Sequence, residues 1–196
     1  MLVEYMDFYL PNSLANRRDL FLQEVANRLN ELKEQSIVDI ESLSSNELFS
    51  TIIYNAIKES LTIHENEKRE YLKNAVINTA LEINITDELQ LRFISVISSL
   101  TQSHIQLLKL FEERDVSKIK SYESLFALCE FPGNKDEFRM FCHDLLSHSL
   151  INISVDFDDF EDVAASTKII ADQSEEEAPY IRITSIGYEF LRYIGT

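Results

Sequence analysis

The chain has 196 residues, of which 45% are hydrophobic and 27% charged, and its 34 acidic residues outnumber 18 basic ones for a formal net charge of -16. That composition fits a globular protein with a real core, in one domain or two, and excludes wholesale disorder. So acidic a field repels polyanions, so nucleic-acid binding requires a local basic patch; otherwise such a charge concerns solubility and association.

Three glycines and three prolines favour helices with short connections over a strand-rich fold. Two cysteines, Cys129 and Cys142, form no disulfide framework, and no basic, apolar, small-residue leader opens the sequence, so a reducing cytoplasm is expected. No apolar run is long enough to cross a bilayer.

In chain order, Met1 to Leu10 is strongly apolar and reads as a docked arm or the stub of a longer N-terminus. From Leu14 to Glu34, Phe21, Val25, Leu29 and Leu32 recur at helical spacing, opposite Arg17, Arg18, Glu24, Glu31 and Lys33. Ser44 and Glu47 match a capping box and open a second helix with Leu48, Ile52, Ile53, Ala56, Ile57 and Leu61 on its apolar face. A third helix is expected from His64 to Leu81 with a small-residue face. A fourth, capped at Thr86 or Asp87, carries Phe93, Ile94, Val96 and Ile97. Residues 1–100 thus read as a helical bundle.

Past a soft boundary near Thr101, itself a candidate cap, Ile105, Leu108 and Phe111 form the next stripe, followed by helices at Tyr122 to Glu130 and Lys135 to His148 around a Pro132-Gly133 turn. Leu150 to Val155 and Tyr180 to Thr184 alternate apolar and polar residues as half-buried strands. Between them lies a long acidic loop, 156–178, with Lys168 its only positive charge. Thr184 caps a last helix with Ile186, Phe190, Leu191 and Ile194.

The fold class expected is mainly α: an N-terminal bundle, then a module over 101–196 in which three helices, two strands and a final helix follow the winged-helix order, the acidic loop being the wing. The segment TSIGYEFLRYI resembles the threonine, glycine, phenylalanine-leucine pattern that ends many bacterial winged-helix modules. The stretch from Phe49 through Phe111, with EKREYLKNAVIN and SSLTQSHIQLLKLF, is similar to uncharacterised bacterial proteins that join a helical region to such a module. This resemblance implies architecture and assigns no catalytic or binding residue.

A DNA-reading winged helix places its third helix in the major groove and its wing on phosphate. Here Lys135 and Arg139 of the third helix are opposed by Asp136, Glu137 and Asp144, and the wing carries Asp156, Asp158, Asp159, Glu161, Asp162, Asp172 and Glu175 to Glu177. Such like-charge contacts penalise every DNA sequence equally. DNA binding would require a dimer gathering Arg17, Arg18, Arg28 and Lys33 into one patch.

Catalytic and metal signals are weak. The acidic loop lacks the turn glycine and closing glutamate of an EF-hand. His64 begins HENEK, without the second histidine of HExxH. Asp144 and His148, four residues apart with His143 nearby, are too few for a closed metal site, and His104 reads as a helix-start or packing residue. Cys129 and Cys142 sit among phenylalanines and leucines, as buried thiols do. Gly133, Gly187 and Gly195 form neither a phosphate loop nor a G-x-S-x-G elbow. The expectation is therefore a non-enzymatic protein without catalytic, cofactor-binding or metal residues. It would contact another protein or a second copy, through Met1 to Leu10 or Phe157 to Phe160, with no small-molecule ligand. The alternative is a dimeric DNA-associated regulator.

Overall fold

The computed structural model of the chain describes residues 2–113, 122–154 and 180–195, which are mainly helical with one two-stranded antiparallel hairpin. The acidic loop 156–178, with its Phe157 to Phe160 segment and its calcium question, lies outside the described residues. The chain divides into two compact units: Met1–Gln102 with Glu189–Thr196, and Ser103–Tyr188.

The first unit holds α1 (Leu2–Glu34), α2 (Ile40–Ser44), α3 (Glu47–Thr62), α4 (Asn66–Ala80) and α5 (Asp87–Ser99). Residues three or four apart share a helix face, and the sequence uses that spacing to build the core. Phe21, Val25, Leu29 and Leu32 of α1 are buried, as are Phe49, Ile52 and Ala56 of α3, Leu72, Ala75, Val76 and Ala80 of α4, and Phe93, Ile94, Val96 and Ile97 of α5. The small residues Ala56, Ala75 and Ala80 let these helices approach closely; α3 packs on α1, α4 and α5, and α4 on α1 and α5.

Two local expectations require correction. Helix α1 does not begin at Leu14 but runs unbroken from Leu2 through Pro11. The cap of α3 is Asn46, whose side chain accepts from the Phe49 N–H at 2.9 Å, while the Ser44 hydroxyl donates to Glu41 O at the end of a separate short helix, α2. Asparagine caps as well as serine, so two adjacent candidates left the start ambiguous.

Three helices end in the same way without glycine. After α1 the N–H groups of Ser36 and Ile37 bond Lys33 O and Leu32 O; after α4 those of Glu82 and Ile83 bond Thr79 O and Asn78 O. After α8 (Lys135–Ser147) those of Ser149 and Leu150 bond Leu146 O and Leu145 O. Each is a Schellman closure, and Ser36, Glu82 and Ser149 hold the left-handed residue at φ 59°, 51° and 62°. A Cβ in that region is strained by about 1–2 kcal/mol, a cost glycine avoids. Ser36→Gly, at an exposed site, is therefore expected to raise stability by about 1 kcal/mol, read as a higher urea midpoint at unchanged slope.

The second unit holds α6 (Gln102–Glu113) from Ser103 onward, α7 (Tyr122–Cys129), α8, β1 (Ile151–Ser154) and β2 (Tyr180–Ile183). The strands pair in the register Ile151↔Ile183, Asn152↔Arg182, Ile153↔Ile181 and Ser154↔Tyr180. Ile105, Leu108, Phe111, Leu125, Phe138, Cys142, Leu145, Leu150 and Ile151 form its buried core. The last helix, α9 (Ser185–Ile194), has its first turn in this unit and its residues from Glu189 in the other.

The β2–α9 junction is held by Thr184. Its hydroxyl donates to Ser149 O at 2.6 Å and to Leu150 O at 3.2 Å, and it accepts from the Gly187 N–H at 2.9 Å; its own N–H reaches Leu150 O at 3.0 Å. One side chain thus caps α9 and ties it to the start of β1.

Candidate functional site

Helix α8 would carry base recognition in a DNA-reading module. Its start is fixed by a full capping box: Asn134 Oδ1 accepts from the N–H groups of Asp136 and Glu137, and the Glu137 carboxylate accepts from the Asn134 N–H at 3.1 Å. Phe138, Cys142 and Leu145 turn inward and fix which residues face out. The outer face presents Asp136, Glu137, Met140, His143 and Ser147, with Met140 53% exposed. Two carboxylates in the first turn complement the helix dipole but confront any phosphate brought to that end. The Arg139 guanidinium lies 4.0 Å from the Asp136 carboxylate.

Behind this face, His104 of α6 is 4% exposed. Its Nε2 lies 3.1 Å from Asp144 Oδ2, and its ring stacks on Phe141 at 4.0 Å between centroids. Phe141 continues into an edge-on cluster with Phe131, which also meets Phe138. A carboxylate orienting an imidazole is half of a general-base arrangement. With so little of the ring open to a substrate, the pair acts here as a polar clamp between α6 and α8. Asp144 is therefore held by His104, forty residues away, a partner that sequence spacing did not suggest. His143 faces solvent. Among the described residues no three His, Cys, Asp or Glu side chains gather as a metal site. Cys129 and Cys142 are both buried and are not joined in a disulfide.

The basic residues of α1 are mostly engaged already. Arg17 donates to Leu61 O at 3.2 Å, Arg18 bonds Asp19 at 2.8 Å, and Arg28 bonds Glu31 at 2.7 Å, leaving Lys33 as an exposed charge at the helix end. A DNA-facing patch on this helix would have to break several of these contacts.

The first unit buries a polar network that spacing could not reveal. The Thr79 hydroxyl lies 2.7 Å from Gln90 Oε1 and 2.8 Å from the Tyr193 hydroxyl, and Gln90 Nε2 donates to Ile85 O at 2.9 Å. Burial pushes the Tyr193 phenol well above its ordinary range, and the Thr79 hydrogen bond opposes that shift. Asn74 Nδ2 donates to Ile194 O at 3.0 Å, and Asn78 Nδ2 to Tyr193 O at 2.8 Å and Gly195 O at 3.0 Å, so two α4 side chains cap the C-terminus of α9. Arg192 adds a bond to Asn84 O at 2.7 Å. Elsewhere in the unit the buried Lys68 ammonium donates to Ser98 O at 3.1 Å, in the last turn of α5, where the helix dipole favours a cation. Every one of these groups has a fold-holding partner.

No helix among the described residues is long and apolar enough to cross a membrane. Comparison of the chain with protein-family models, with curated proteins and with solved structures finds no match.

Proposed function

We propose that the second unit, together with the start of α9, is a winged-helix-like module used as a protein-contact scaffold, without catalysis and without DNA reading. The order of three helices, an antiparallel hairpin and a final helix supports the winged-helix reading. The observation that carries the functional reading is the outer face of α8: carboxylates at Asp136 and Glu137, an ion-paired Arg139, and an exposed Met140 at its centre. A flexible apolar side chain bordered by charge suits a protein surface, whereas a groove-reading helix needs cationic or neutral polar groups at those positions. The acidic loop 156–178 adds negative charge where a wing would meet phosphate. The non-enzymatic reading is supported by buried polar groups that are consumed in holding helices together.

The test is a binding-site selection from a random duplex pool with the full chain. No sequence should be enriched over successive rounds; recovery of a defined motif would favour a DNA-associated regulator and sink the proposal.

A further inference from the structure

Where α3 ends and α4 begins, two half-buried guanidiniums converge on one turn of backbone. Arg17 of α1 donates to Leu61 O at 3.2 Å, and Arg69 of α4 donates to Ile63 O at 3.3 Å and to the Asn66 side-chain oxygen. Part of this is structural, because cations favour the carbonyl end of a helix. Yet Arg17 uses one of its five N–H groups in this way and Arg69 two. Among the described residues neither arginine meets a carboxylate. The chain has 34 acidic against 18 basic residues, and four other cations of the same unit, Arg18, Arg28, Lys68 and Lys73, each hold one.

The same corner opens α4 without neutralising it. The N-cap residue Glu65 makes no side-chain cap bond, and its carboxylate turns instead to the Lys68 ammonium at 3.7 Å. The uncapped first turn therefore keeps its partial positive charge beside Arg69. His64, just before it, is exposed and bonds nothing among the described residues. Glu67, the acidic residue of that turn, is exposed and free to point into solvent.

We propose that this corner binds a diphosphate group, with Arg17 and Arg69 each gripping one phosphate and His64 supplying a further donor. A guanidinium fork matches the oxygens of one tetrahedral phosphate, so two forks on one turn of backbone suit two linked phosphates. A DNA duplex spreads its charge along a rod and would meet the surrounding acidic surface as well, so this corner does not make the chain a DNA binder. The site lies wholly in the first unit and is independent of the protein-contact reading of α8.

Isothermal titration calorimetry of the full chain with inorganic pyrophosphate, at neutral pH and with chloride holding the ionic strength constant, tests it. Saturable binding with a Kd below about 1 mM is expected. Arg69→Gln should weaken it by about tenfold or more. His64→Ala, which removes no contact of the fold, should weaken it by about threefold. Lys33→Gln, at the far end of α1, should leave it unchanged. If Arg69→Gln fails to fold by circular dichroism, the His64→Ala comparison decides. A nucleoside diphosphate forms the second arm: affinity equal to that of pyrophosphate identifies the diphosphate group wherever it is carried, and loss of binding identifies the free anion. No saturable heat with pyrophosphate, binding indifferent to both Arg69→Gln and His64→Ala, or equal weakening by Lys33→Gln would each overturn the proposal.

Discussion

Replacing Phe93 with alanine is expected to destabilise the helical unit by about 3–5 kcal/mol. Phe93 is 1% exposed, and its ring meets Phe190 edge-on at 5.3 Å and Tyr193 at 5.7 Å. Truncation removes a large apolar surface from the core and leaves a cavity beneath α9, whose Phe190 and Tyr193 are themselves fully buried. The loss is a large share of the stability of a natural domain. It should appear as a fall in melting temperature of about 6–20 °C by circular dichroism. Phe93→Leu, which keeps most of the volume, should cost much less. Equal effects from the two variants would show that the site can collapse and that Phe93 does not fasten α9.

Gly187→Ala is expected to cost about 3 kcal/mol, although it adds one methyl group in a helix, where alanine is normally preferred. An added Cβ would lie 2.2 Å from Leu150 O and 2.9 Å from Ile183 Cγ1. The Leu150 carbonyl cannot retreat freely, because it accepts from both the N–H and the hydroxyl of Thr184. Relieving the clash therefore loosens the junction that holds β1, β2 and α9 together. Thr184→Val, which deletes the hydroxyl at nearly constant shape, should cost about 1–2 kcal/mol through the lost cap. Thermal melts of both variants check this; a neutral Gly187→Ala would mean that the close approach of α9 to Leu150 is absent in solution.

The parts of this fold that sequence could reveal are those set by local periodicity and capping. Phe21, Val25, Leu29 and Leu32 mark a core face by spacing alone, and Thr184 with Gly187 marked the strand-to-helix junction. What escaped depends on long-range partners or on chemistry without a compositional flag. Asn74 and Asn78 look like ordinary surface amides, and their role as caps for α9 exists only once residues more than a hundred positions away arrive. His104 and Asp144 are forty residues apart, so neither predicts the other. Three Schellman closures were invisible because serine and glutamate stand where glycine usually signals the end of a helix. The apolar stretch before Leu14 read as a separate arm, whereas α1 runs unbroken through it from Leu2 to Glu34. The candidate site was legible only in its charges: the acidic first turn of α8 could be read directly, while the exposure of Met140 required knowing which side Phe138 and Cys142 bury.

The most direct test of the protein-contact account is the affinity of the full chain for a fluorescent mixed-sequence DNA duplex at low salt, where phosphate attraction is strongest. No saturable binding is expected up to about 100 µM protein at about 50 mM salt, weaker than ordinary non-specific DNA binders. Micromolar binding that weakens steeply as salt rises would contradict it.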